Sequence, residues 1–273
     1  MLHSSQPDAN RILWCARSEA SVASTTTVTT NGKPKMIAAW WHLAGFFAII
    51  AWVTYSGYRA QQTGISGAAT PAGQLGSHSE AYRFYLTSIG MDWLFFYYCW
   101  AGVHWKGGNL ATLTGGRWPT WKQLATDIAI AIPFWIIWEA TAYGVVYLVG
   151  LFGPAGSNAA RSASDLLPKS APEVLVWLLV CITAGFTEEI QSRGYLQQQL
   201  HAVTGSIVAA VILQGIIFGA QHSYQGWKQV VVIAALGILY GALAAWRRNL
   251  RANMIAHAWS DVWEGWLKQI LFQ

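Results

Sequence analysis

Charge is scarce in this chain. Only 11% of its 273 residues are Asp, Glu, Lys or Arg, while 54% are hydrophobic, and the mean hydropathy is positive. An ordinary soluble domain carries about 25% charged residues, so this balance points to a membrane protein with several spans. Cysteine is sparse as well: three residues, with no CxxC or CxxH pair among them. Cys15 lies in a polar stretch and Cys99 and Cys181 in apolar ones, which argues against structural disulfides and against a zinc ribbon. Residues 1–35 lack the apolar core of about 7–15 residues that a secretory signal needs. They are rich in Ser, Thr, Asn and Ala, contain Asp8 and Glu19, and read as a disordered tail. The net charge of +5 is scattered over short loops, as expected beside anionic lipid, so nucleic acid is not an expected partner. No internal repeat is visible.

What the chain has in quantity is tryptophan, 17 residues of it, suited to the spans and to their edges at the lipid interface. A search for stretches of about 20 mostly apolar residues predicts helices near 36–57, 84–104, 125–150, 173–196, 204–222, 228–246 and 252–272. The expected fold is an all-α bundle of about seven transmembrane helices over 36–273. Pro133 should bend the third helix. Ser170 and Glu173 have capping-box spacing at the start of the fourth, with Pro172 in its first turn. Ten Lys and Arg residues fall on the side of the N-terminus and six on the other, with Arg193 left aside, which places the N-terminus in the cytoplasm.

Against that apolar background three polar clusters stand out: Glu188 and Glu189 with Arg193, His222 four residues after Phe218, and Asp261 four residues after His257. Ionisable groups cost several kcal/mol each in hydrocarbon, so their retention suggests chemistry. On a helix Glu189 and Arg193 share a face, whereas Glu188 is turned about 140° from Arg193. Arg193 can therefore neutralise Glu189 and leave Glu188 as a free base able to take a proton from water. Taken alone, the doublet reads equally well as a structural ion pair. Phe218 packs beneath His222, with Gln214 one turn earlier, and a lone His there is usually a packing residue. Asn253, His257, Asp261 and Glu264 form a stripe that could also line a helix contact.

At about 1.5 Å per residue, Glu188 and His257 lie at similar depth below the cytoplasmic surface, roughly 24 Å along one helix and 9 Å into the other. His222 fits that level only if 194–208 extends two helices into the cytosol. The polar residues Gln197, Gln198, Gln199 and His201 favour that extension.

The strings EEIQSRGYLQ, FGAQH and HAWSD, in that order over about 165–265, resemble the CAAX protease and bacteriocin-processing family, also called Abi, with its pattern EExxxR, FxxxH and Hxxx(N/D). That family includes the type II CAAX prenyl endopeptidases. The resemblance implies a helical membrane bundle around a conical cavity and a glutamic-type intramembrane endopeptidase with no cofactor or metal. It implies that Glu188 with His222 activates water, that His257 with residue 261 stabilises the oxyanion, and that Glu189, Arg193 and Phe218 support them. Ser192 departs from the pattern, standing where an aromatic commonly precedes the Arg. Asp261 stands where the prenyl-protease branch has Asn, and a carboxylate would repel an oxyanion. The expected role of Asp261 is instead to orient His257 and hold it as an imidazolium donor.

Three rivals remain at this stage. Glu188, His222 and His257 could supply three zinc ligands, although no HExxH is present. A non-catalytic immunity or scaffold protein could keep the same fold. A proton-coupled transporter could use Asp92, Glu139 and Glu264, to which no role is assigned. The expected partners are membrane lipids and a peptide or protein segment entering from the cytoplasmic side, with a lipid-modified segment among the candidates.

Overall fold

The computed structural model describes residues 34–63, 65–66, 70–71, 78–116, 120–152 and 167–271. The expected tail therefore lies almost wholly outside the described residues, as do most of the Gly- and Ser-rich connections. The described chain is helical, apart from a two-residue antiparallel ladder between β1 (Ile65–Ser66) and β2 (Thr70–Pro71). Its helices are α1 (Trp40–Thr63), α2 (His78–Trp105), the short α3 (Leu110–Thr114), α4 (Trp121–Gly150), α5 (Ala171–Glu189), α6 (Gln197–Thr204), α7 (Ile207–Gln221), α8 (Trp227–Arg247), α9 (Arg251–Val262) and α10 (Lys268–Leu271). A π-helical segment, Ile190–Leu196, joins α5 to α6, and a second, Trp263–Leu267, joins α9 to α10.

Local chemistry explains most of the boundaries. Ser170 caps α5 by accepting from the Glu173 amide, while the Glu173 carboxylate reaches the Lys169 amide instead of the Ser170 amide that a strict capping box would use. Thr120 and Ser206 cap α4 and α7 in the same manner. α4 runs through Pro133 without a break. α6 stops at Gly205, whose φ of +69° is left-handed and suits glycine.

Two helices, Trp121–Gly150 and Trp227–Arg247, are long and apolar enough to cross a membrane, against the seven spans expected. Of the others, α7 is apolar but brief. Large apolar side chains nonetheless face outward on several of them, among them Trp52, Leu94, Leu175 and Val208.

Helical structure continues from 171 to 204, about 50 Å at the α-helical rise, so the fourth expected helix does run on beyond 194. Its glutamines are polar for a different reason from the one anticipated, because they are spent inside the protein. Gln199, fully buried, accepts from the Ile37 amide at 2.9 Å and donates to the Ala38 carbonyl at 3.2 Å. Gln197 donates to the Gly241 carbonyl and Gln198 to the Thr112 carbonyl. These bonds tie the start of α1, the end of α3 and the middle of α8 to one rod. The Ile37 amide and the Ala38 carbonyl precede α1, where no helix ladder serves them, and Gln199 takes that place.

Candidate active site

Close helix approach builds the site. A Cβ on Gly185 would stand 2.8 Å from both the Ala258 amide nitrogen and its Cβ, so glycine at this position lets α5 lie directly on α9. One turn further, Glu188 and Glu189 face His257. Gly215 and Gly219 bring α7 equally near to α8, against Ile238 and Ala234. Immediately after Glu189 the helix widens into its π segment, a feature that often accompanies functional sites, and Arg193 and the buried Ser192 lie within it.

Glu189 is the hub. Its Oε1 accepts from Arg193 Nη1 at 2.8 Å and from His257 Nδ1 at 2.9 Å, and its Oε2 accepts from Asn253 Nδ2 at 3.1 Å. Neither Glu189 nor Arg193 has an exposed side chain. Arg193 donates its Nη2 to the Gly237 carbonyl at 3.0 Å, which Gln214 also caps at 2.8 Å. Its guanidinium sits 4.5 Å from the Phe218 ring centre and 5.1 Å from that of Tyr240. Each such stack contributes about 1–2 kcal/mol when desolvated. Breaking the Glu189–Arg193 pair would leave a buried unmatched charge, at a cost of about 3–5 kcal/mol.

His257 is oriented by this hub. With Nδ1 bound to Glu189, and with the Tyr240 ring stacked on the imidazole at 5.2 Å, its Nε2 is directed to the open side. There it meets two further carboxylates, Glu188 at 3.7 Å and Asp261 at 3.8 Å, both beyond hydrogen-bond length. Their side chains are partly exposed, 22% for Glu188 and 34% for Asp261, whereas Glu189 has none of its surface open. The geometry thus separates the two adjacent glutamates: one is locked, the other faces outward. It also revises the expected part of Asp261, because the short bond that orients His257 comes from Glu189.

His222 ends α7. Its Nδ1 lies 2.9 Å from the Phe218 carbonyl, which leaves Nε2 available. Phe218 spans the two imidazoles, with ring centres 5.0 Å from His222 and 6.2 Å from His257. The chain thereby brings Glu188, Glu189, Arg193, Phe218, His222, His257 and Asp261 into one neighbourhood. Among the described residues no group of three His, Cys, Asp or Glu side chains is arranged to hold a metal ion. Cys99 and Cys181 are buried free thiols.

Residues 170–263 match the Rce1-like type II CAAX prenyl endopeptidase family. The resemblance seen in the motifs is borne out over that stretch, and the Rce1-like family is one of membrane-embedded proteases, which act on peptide substrates. The Rce1-like segment runs from the capping residue of α5 to just past the end of α9 and so holds Glu188, Glu189, Arg193, Phe218, His222, His257 and Asp261. No curated protein and no solved structure gives a match.

Three more residues lie near the site: Asp92, which the sequence marked without a role, and two tyrosines that it did not mark. Asp92, on α2 and outside the Rce1-like segment, lies within electrostatic reach of Glu188, His257 and Asp261, and its carbonyl accepts from Gln191 Nε2 at 3.3 Å. Its place among the apolar residues of α2 was the available signal. Tyr240 and Tyr224 had none, being two of 11 tyrosines. Glu264 belongs elsewhere: it pairs with Lys268 at 2.7 Å and lies against Glu139 on α4.

Proposed function

We propose that the chain is a multi-pass intramembrane endopeptidase of the glutamic type, with its N-terminus in the cytoplasm. In this reading Glu188 is the general base. The observation that carries it is the asymmetry of the doublet: Glu189 is saturated by Arg193, His257 and Asn253, whereas its neighbour Glu188 is partly exposed and has His257 no nearer than 3.7 Å. A base must be within reach of a water molecule and free to accept a proton.

The reaction follows from these roles. Water held between Glu188 and His222 loses a proton to Glu188 as its oxygen attacks the scissile carbonyl. The carbonyl π electrons move to oxygen, and His257 Nε2–H donates to the oxyanion. Collapse of the tetrahedral intermediate breaks the C–N bond, and the proton on Glu188 passes to the leaving amine. Glu189, with Arg193 behind it, keeps His257 Nδ1 as a donor, so Nε2 bears its proton only in the imidazolium form. Glu188 and Asp261, at 3.7 Å and 3.8 Å, favour that form. Asp261 acts on charge at a distance rather than through a bond.

The outward-facing Trp, Leu and Val side chains support a lipid environment for more helices than the two that meet the length and composition test. The substrate is a peptide or protein segment that reaches the site within the bilayer, and a lipid-modified tail is one form it could take. Comparison of membrane proteomes from cells carrying wild-type and Glu188→Ala protein tests the proposal. New peptide termini that require Glu188 are expected; identical termini in both would remove the protease reading in favour of a non-catalytic scaffold.

A further inference from the structure

The proposed site is rich in acceptors and poor in donors. Glu188, Asp261 and Asp92 are carboxylic acids, Glu189 is consumed, and His257 Nε2–H faces two of the carboxylates as well as any substrate. Developing negative charge on a carbonyl oxygen calls for preorganised donors, and a single imidazolium shared with carboxylates is a weak provision. One further hydroxyl is carried by a ring that lies against His222. Tyr224, in the 3-10 turn Ser223–Gln225 between α7 and α8, stacks on His222 with ring centres 6.1 Å apart and planes at 30°. It also lies within electrostatic reach of Glu188, Asp261 and Asp92.

The turn is held firmly enough to place a donor. Ser223 Oγ donates to the Thr54 carbonyl on α1 at 2.7 Å, and a Cβ on Gly57 would stand 3.0 Å from the Tyr224 amide nitrogen, so α1 lies against the turn. Gly226 closes it with a φ of +90°, a conformation that favours glycine. The Tyr224 hydroxyl accepts from Gln225 Nε2 at 2.9 Å, which satisfies a lone pair and orients the group while its own hydrogen stays free to donate. Burial pushes the phenol up to about 12; the Gln225 bond opposes this and the three carboxylates add to it, so it stays protonated over the working range.

We propose that the Tyr224 hydroxyl is a catalytic hydrogen-bond donor, acting with His257 on the substrate carbonyl oxygen as it becomes the oxyanion. The inference rests on the proteolytic reading above. It gives α1, outside the Rce1-like segment, a task in the chemistry: it fixes the turn that carries the donor.

The test uses the full chain in lipid vesicles and a peptide spanning a Glu188-dependent terminus found in the proteome comparison. Tyr224→Phe keeps the ring and its stack on His222 but lacks the hydroxyl. The expected result is a fall in kcat of about 100-fold with KM within about twofold and an unchanged melting temperature. A kcat within about threefold of wild type, with Glu188→Gln inactive, would overturn the donor role and leave the protease reading standing. Replacement of Tyr224 by a fluorinated, more acidic tyrosine supplies a second readout. With the ring fluorinated heavily enough to ionise before the His257 imidazolium does, the donor is the first group lost as pH rises, so the alkaline limb of the rate profile should move to lower pH; an unmoved limb overturns the proposal even if Tyr224→Phe folds poorly. Absence of any Glu188-dependent terminus removes both the parent reading and this one.

Discussion

Two carboxylates in this protein, Glu189 and Asp127, are equally buried, and each is held by two cationic or potentially cationic side chains. Asp127, on α4, takes Arg247 Nη2 on one oxygen at 3.0 Å and Arg251 Nε on the other at 2.7 Å. Both arginines are permanently charged, and their bonds pin α4 to the end of α8 and the start of α9. Nothing in that staple has a second ionisable position to offer. Glu189 takes one arginine and one histidine, and the histidine has a second nitrogen that points to Glu188 and Asp261. A buried charge clamped by arginines is architecture; one that passes its orientation on to a titratable ring can serve chemistry.

The sharpest way to break the comparison is Glu188→Gln, which leaves the Glu189 hub intact. Cleavage should fall by about 100-fold to 10,000-fold, measured as the rate of appearance of Glu188-dependent termini, with thermal stability unchanged. Next in size is Arg193→Ala. It removes the guanidinium that lies against Phe218 and Tyr240, leaves the buried Glu189 charge without its arginine, and should lower stability by about 3–5 kcal/mol in detergent unfolding experiments.

Arg247→Ala should be milder, about 1–3 kcal/mol, because Arg251 still neutralises Asp127. Cleavage per folded molecule should then be unaltered; a loss of activity without loss of fold would show that the staple is more than architecture. The smallest effect is expected from Asp261→Asn. A charge 3.8 Å from His257 Nε2 and one-third exposed is worth about 1 kcal/mol, or roughly a fivefold change in turnover with an altered pH profile. Turnover and profile both unchanged would mean that Asp261 has no hold on His257.

The motifs made much of the site legible. Four-residue spacings in EExxxR, FxxxH and Hxxx(N/D) place Glu189 with Arg193, Phe218 with His222 and His257 with Asp261 whatever surrounds them, because helix geometry alone sets those neighbours. The unequal exposure of Glu188 and Glu189 followed from the same geometry. The pairing of Glu189 with His257 did not, since it joins residues 68 apart and depends on Gly185 letting α5 lie on α9. The nearness of Asp92 and Tyr224 to the site was hidden for a related reason: they come from α2 and from a turn, and no periodicity links them to the motifs. The glutamines of α6 mislead in sequence, because a polar run inside an apolar chain looks the same whether it meets water or buried backbone.

By itself the sequence determined the helical class, the membrane-like composition and the identity of the polar groups. Those depend on local periodicity and on the cost of charge in an apolar setting, both of which act along the chain. Only the tertiary structure decided which nitrogen of His257 is occupied, which glutamate is locked and which hydroxyl stands among the carboxylates. Such choices rest on contacts of a few ångströms between distant segments, and small residues at the helix crossings, whose value is invisible until the helices meet, set them.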